Sequence, residues 1–187
     1  MLKLQEKYQK EVIPAMMEKF GYRSSMAVPK IEKVVINTGF GRQIADKTPE
    51  EQKKITEAVL EDFGLISGQK AIITRAKKSI ASFKIREGLP IGAKITLRRK
   101  KMTDFLEKLI HIVLPRTRDF RGIETSSFDK KGNLTIAIRE HIAFPEILPE
   151  KAKNIFGLEI TVVTTAKNRE EGIELLKLLG FPIKKSE

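Results

Sequence analysis

The chain contains no cysteine and no tryptophan among its 187 residues, and only two histidines. The missing cysteines remove disulfides, thiolate nucleophiles, iron–sulfur clusters and cysteine-ligated zinc from consideration. His111 and His141 alone fall short of the usual ligand set of a transition-metal site, so no metal and no other cofactor is expected. Long apolar runs are missing too. The stretch 110–114 is far shorter than the ~20 residues that span a bilayer. The N-terminal Met1-Leu2-Lys3-Leu4-Gln5-Glu6-Lys7 lacks the apolar segment of a secretory signal and carries an acid early. A cytoplasmic protein is expected.

What is present is positive charge. Lys and Arg total 36 against 24 acids, a net +12 with a pI near 9.8. A surplus of this size favours a polyanionic partner, either nucleic acid or an acidic membrane surface. With 41% hydrophobic residues in clear periodic patterns, the chain has enough for a core, and disorder is rejected. The length suits one domain spanning 1–187.

Periodicity places the elements. Leu4, Tyr8, Val12, Met16 and Phe20 recur every fourth residue, a helical pattern that Gly21 ends and that Pro14 either kinks or divides into two abutting helices, standing in the first turn of the second. Residues 28–38 read as a strand, and Gly39-Phe40-Gly41 as the loop after it. Thr48-Pro49-Glu50-Glu51 opens a helix with a capping box, expected to run to Gly64. Residues 71–74, 83–86 and 93–98 read as short strands, with Gly88, Pro90 and Gly92 turning the chain between the last two. A helix is expected from Asp104 until Pro115 stops it, then an extended basic loop over 116–127. Strands follow at 134–139 and 158–165, and Asn168 with Glu171 caps a last helix ending at Gly180. Strand pairs mixed with helices predict an α+β fold: an antiparallel-rich sheet with helices on one face and the other face free.

No reaction centre emerges. Gly39-Phe40-Gly41 resembles a dinucleotide loop, but Ile44 stands at the third glycine position and no helix is expected there. His111, inside an apolar run, reads as a helix-packing residue, and His141, at a strand end, as a surface or RNA contact. Glu50-Glu51 and Glu170-Glu171 sit where helix N-termini prefer acids. No catalytic residue is assigned. An enzyme handling an anionic substrate on such a sheet remains a rival reading, as does a free RNA chaperone.

The charge is concentrated. Between Lys70 and Lys101 eleven basic residues face one acid, Glu87, on predicted strands and tight turns. Arg75-Ala76-Lys77-Lys78-Ser79 forms a cationic tip whose small residues let backbone approach phosphate. Phe83 lies among cations, suited either to stacking on an unpaired base or to an ordinary core position. Thr74, Ser79, Ser82 and Thr96 supply hydroxyls able to meet ribose 2′-OH groups. Membrane attachment would need a basic amphipathic helix or a lipidation motif, and neither is present, so nucleic acid is the better partner.

Several longer motifs then carry a resemblance. They include Val34-Val35-Ile36-Asn37-Thr38-Gly39-Phe40-Gly41, Thr74-Arg75-Ala76-Lys77-Lys78-Ser79-Ile80-Ala81-Ser82-Phe83-Lys84-Ile85-Arg86-Glu87-Gly88 and Ile91-Gly92-Ala93-Lys94-Ile95-Thr96-Leu97-Arg98. Leu114-Pro115-Arg116-Thr117-Arg118-Asp119-Phe120-Arg121-Gly122, Phe144-Pro145-Glu146-Ile147 and Ile160-Thr161-Val162-Val163-Thr164-Thr165-Ala166-Lys167 follow in order. The sequence is similar over essentially its whole length to the bacterial-type 5S rRNA-binding family called ribosomal protein five of the large subunit.

The resemblance implies a sheet of the RNA-recognition or ferredoxin-like kind and a structural role in the large ribosomal subunit. It implies 5S rRNA contacts at Asn37, Gln69, Phe83, Thr96 and Arg98. It places Arg75, Lys77, Lys78 and Ser79 near peptidyl-site tRNA, and Phe120, Arg121, Gly122 and Thr125 in a bridge to a small-subunit head protein. The larger rRNA and neighbouring large-subunit proteins are the other implied partners. Three positions depart from the family pattern: Ala71 for proline, Arg99 for glycine and His141 for glutamine.

Overall fold

The structure is a computed structural model and describes residues 3–118, 120–150 and 154–184. Met1 and Leu2 of the N-terminal stretch, and Asp119 of the Leu114-to-Gly122 motif, lie outside the described residues. The elements in chain order are α1 (Leu4–Lys7), a π-helical turn (Tyr8–Val12), α2 (Ile13–Phe20), β1 (Ile31–Gly39), α3 (Gly41–Ile44) and α4 (Pro49–Ser67). They continue with β2 (Ile72–Arg75), β3 (Pro90–Leu97), α5 (Arg99–Lys108), a second π-helical turn (Leu109–Val113) and α6 (Leu114–Arg116). Last come β4 (Leu134–Ile138), β5 (Leu158–Thr164) and α7 (Arg169–Leu179). The fold is α+β, with a five-stranded antiparallel sheet in the order β2-β3-β1-β5-β4.

The sheet buries one face. In β1, Val34, Ile36 and Thr38 are buried while Lys33, Val35 and Asn37 are half-exposed; β4 and β5 alternate the same way. This is the signature of antiparallel strands with one solvated face. The chain divides into two compact units: Met1–Val34, Arg98–Ile136 and Thr161–Glu187 in the first, Val35–Leu97 and Ala137–Ile160 in the second.

In the first unit α7 packs at Gly172 against the turn around Gly132. Gly132 has φ +74, and a Cβ on Gly172 would lie 2.3 Å from the Gly132 carbonyl oxygen. Backbone therefore meets backbone here, and no side chain fits at position 172. In the second unit α4 packs on β3 through Val59, Phe63 and Ile66, all buried. Its start is the capping box predicted: the Thr48 hydroxyl accepts from the Glu51 amide, and the Glu51 carboxylate accepts from the Thr48 amide.

Several boundaries differ from the sequence expectation. α4 passes through Gly64 and ends at Gly68, which takes the left-handed φ +62 that favours glycine. A single glycine is tolerated within a helix held by its buried face. A one-turn helix, α3, does start at Gly41. β3 begins at Pro90 and includes Gly92, so these residues pair rather than turn. Residues 83–86 form no named strand; Ala81–Phe83 is a 3-10 turn, and only Ile80 and Ile85 bridge. α5 starts at Arg99, five residues early, against the usual aversion of helix N-termini to cations. The helix after Leu109 continues past Pro115 to Arg116, because proline is harmless in a first helical turn. Asn168 makes no side-chain cap; Glu171 instead accepts from the Lys167 amide at 2.9 Å.

Candidate nucleic-acid interface

The basic stretch is built on the β2–β3 pair in the second unit. β2 lies at the sheet edge, and Ile72 faces Lys94 while Thr74 faces Gly92 across the ladder. Residues opposite each other share a face, so Ile72, Thr74 and Lys94 project on the same side. Ile72 is 64% exposed, which marks that side as the open one.

Beyond the bulge at Thr74/Arg75 the chain forms a tip that closes on itself. The Ala76 amide donates to Leu89 and the Gly88 amide to Ala76. Ile80 and Ile85 exchange hydrogen bonds. The Arg75 guanidinium donates to the Gly88 carbonyl at 2.9 Å, and the Ser79 hydroxyl accepts from the Glu87 amide at 2.9 Å. Arg75 and Ser79 thus shape the tip, and Lys77, Lys78 and Arg86 stand exposed on it. Lys84, at φ +51, pairs with Asp46 at 2.8 Å, a contact that raises its pKa. Phe83 is 63% exposed, which removes the core reading and leaves its ring free to stack.

The other expected RNA contacts divide. Gln69 and Thr96 come together: the Gln69 side-chain amide donates to the Thr96 carbonyl at 3.3 Å. The Ser67 hydroxyl accepts from the Gln69 amide and donates to the Phe63 carbonyl at 2.7 Å. The turn is therefore held without a proline at Ala71, which is buried. Asn37 is half-exposed on the open side of β1. Arg98 belongs to the first unit and pairs with Glu32 at 3.1 Å.

The expected bridge residues also lie in the first unit. Gly122 takes φ +96, and a Cβ there would lie 3.1 Å from the Lys184 side chain. Ile123 and Ile183 form a parallel bridge: the Ile123 amide donates to Pro182 at 2.8 Å and the Lys184 amide to Ile123 at 2.9 Å. Lys184 also pairs with Glu124, and the Arg169 guanidinium donates to the Thr125 carbonyl. Phe120 is half-buried and Arg121 exposed.

Both histidines are placed contrary to expectation. His111 is exposed on the second π-helical turn, so it does not pack within the core. The π-helical winding shifts the phase that simple helical spacing assigns. His141 is fully buried and stacks on Phe156 with ring centroids 4.0 Å apart, so it is no surface or RNA contact. Its Nδ1 accepts from the Phe156 amide, and its Nε2 lies 3.3 Å from the Asp62 carboxylate without hydrogen-bond alignment. Arg99 has φ +53, the backbone region in which the resembled family's glycine is at ease.

Sequence reasoning passed over Arg139 and Glu159, which border a cup on the open side with Asn37. The signal was available, because the alternation of Leu134, Ile136 and Ile138 already assigns the intervening positions to the other face.

Residues 24–86 match the family described as Ribosomal protein L5, and residues 90–183 match the model of that ribosomal family's C-terminus. The chain belongs to the ribosomal protein L5 family. It is 54% identical to the large ribosomal subunit protein uL5 of Halothermothrix orenii, over 96% of this chain and 97% of that one. It is 54% identical to the protein of that name in Caldanaerobacter subterraneus subsp. tengcongensis, over 99% of this chain and all of that one. The corresponding protein of Clostridium tetani is 52% identical over 96% of this chain. Ribosomal protein L5 is a structural, non-enzymatic family. No described helix is long and apolar enough to cross a membrane.

Proposed function

We propose that the chain is a structural constituent of the large subunit of the cytoplasmic ribosome, that it binds 5S rRNA, and that all 187 residues serve as one RNA-binding domain. The observation that carries this reading is the open side of the β1–β3 region, which presents Asn37, Thr96 and Lys94, together with the exposed ring of Phe83 on the tip. An amide, a hydroxyl, a cation and a free aromatic are the groups that read splayed single-stranded RNA. Family membership and the uL5 relatives support the ribosomal setting. The tip residues Arg75, Lys77, Lys78 and Ser79 contact peptidyl-site tRNA, and the region 120–125 contributes to a bridge to a small-subunit head protein. The larger rRNA and neighbouring large-subunit proteins complete the surroundings.

The test is equilibrium binding of the chain to 5S rRNA, tRNA and a DNA duplex across a salt series. A retained preference for 5S rRNA as salt rises supports shape recognition; equal, salt-collapsing affinities reduce the surface to a generic polycation. Phe83→Ala lowers 5S affinity by about 1–3 kcal/mol if the ring stacks on a base. Replacing Lys77 and Lys78 together by alanine spares 5S binding while weakening the tRNA contact. A large loss of 5S binding in that double variant refutes the division of labour.

A further inference from the structure

The open side of the second unit carries a cup of about 280 Å³, lined by Asn37, Gly39, Ala137, Arg139, Gly157 and Glu159 among others. Its floor is short of side chains: Gly39, Gly157 and Ala137 leave backbone exposed. Three polar side chains stand around it, and none of Asn37, Arg139 or Glu159 has a hydrogen-bond or ion-pair partner among the described residues. Sites for whole small molecules occupy ~300–1,000 Å³, so this volume suits one planar base rather than a cofactor.

Glu159 is the anomaly. A carboxylate on an RNA-facing surface repels phosphate and is tolerated there only if it gains a donor partner. Guanine is the base whose Watson–Crick edge presents two adjacent donors, N1–H and N2–H, which match the two oxygens of a carboxylate. Arg139 can then pair with the flanking phosphate, and the Asn37 amide with another edge of the same base.

We propose that this cup receives a single unstacked guanine of an RNA ligand, with Glu159 as its specificity-determining residue. The inference rests on RNA binding by the open side, as proposed above, and extends it from the cationic β2–β3 region to β4 and β5. Adenine offers one donor on that edge, uracil one, and cytosine one amino group. A carboxylate therefore pairs fully with guanine alone.

The test adds guanosine, inosine, adenosine, cytidine and uridine 5′-monophosphates separately to the ¹⁵N-labelled full chain. Guanosine monophosphate is expected to shift the Gly39 and Gly157 amides at the lowest concentration. Inosine monophosphate, which lacks the N2 amine, is expected to need about tenfold more. Glu159→Gln should erase that preference while leaving the spectrum of the folded chain intact. Equal responses to all five nucleotides, no response at the two glycines, or a guanosine preference that survives Glu159→Gln overturns the proposal. Binding of 5S rRNA by the unmodified chain is measured alongside. If that binding is absent, the broader reading falls; if it is present and the cup ignores guanosine monophosphate, only the guanine site falls.

Discussion

The tip at 76–89 and the loop at 116–127 are both exposed, cationic excursions from the sheet, yet they are held in opposite ways. The tip is closed by neighbours in sequence: Ala76 with Gly88 and Leu89, Ile80 with Ile85, Ser79 with Glu87. The second loop is held from a distance, by residues 182–184 pairing alongside Ile123 and by Arg169 reaching Thr125. Local closure needs little chain entropy and leaves its side chains free to face outward. Distant closure makes the shape of one surface depend on residues 182–184. A change there is therefore felt in the region proposed for the bridge, and not in the tip.

The sharpest way to break that contrast is Lys184→Pro. It removes the amide that donates to Ile123 and should destabilise the 116–127 loop by about 1–2 kcal/mol. Hydrogen exchange is the readout: the Ile123 amide should lose protection while amides of the tip keep theirs. Lys184→Ala, which retains the backbone donor and loses only the exposed pair with Glu124, should change little. Equal loss in both variants would show that the side chain, not the ladder, holds the loop.

Ser79→Ala is the converse. The Glu87 amide loses its acceptor, at a cost of about 0.5–1.5 kcal/mol. Faster exchange should appear in the tip alone. Exchange spreading to 116–127 would mean that the two excursions are not independently held.

What was legible in the sequence follows the same division. The Thr48/Glu51 capping box, the β1, β4 and β5 alternation and the cationic strip are local patterns, and each appears in the fold. The pairing of Ile123 with Ile183 carries no local mark, since each residue reads only as an isolated apolar position in a loop. Charge misled in one place: the run Arg98-Arg99-Lys100-Lys101 argues against a helix start, although α5 begins within it. Arg75 and Ser79, two of the residues expected near tRNA, each also make a hydrogen bond that shapes the tip. Glu159, flanked by Leu158 and Ile160, has no charged neighbour in the sequence to mark it, although its place on the open face follows from the β5 alternation.

Arg99 marks the junction between the cationic strip and the first unit. Its φ of +53 strains any side chain bearing a Cβ, while glycine costs more entropy in the unfolded chain. The balance predicts that Arg99→Gly raises stability by about 0.5 kcal/mol, read from the midpoint of urea unfolding. A lower midpoint would show that the guanidinium makes contacts worth more than the strain.

A third excursion, residues 140–156, closes in yet another way, through the buried ring of His141 against Phe156 and Asp62. Burial holds the His141 pKa below its ordinary 6.5, outweighing the attraction of Asp62, and raises that of Asp62 above 3.8. The neutral imidazole therefore stabilises the fold above about pH 6.5, where the unfolded chain is also neutral. As pH falls from there through the lower folded-state pKa, the unfolded chain takes up the proton first and stability drains away. Asp62 acts with the opposite sign: its ionised form is disfavoured in the fold, and that penalty lifts only as pH falls through its own raised pKa. Asp129 and Glu51, whose pKa values are lowered, lose their contributions near pH 4 and below. Between pH 7.5 and 5.5 the histidine should dominate. His141→Gln keeps an acceptor within reach of the Phe156 amide and cannot titrate, so its unfolding midpoint should change less across that window than that of the unmodified chain. Parallel pH profiles for the two proteins would mean that His141 keeps its protonation state on unfolding, and that the third excursion is closed by packing alone.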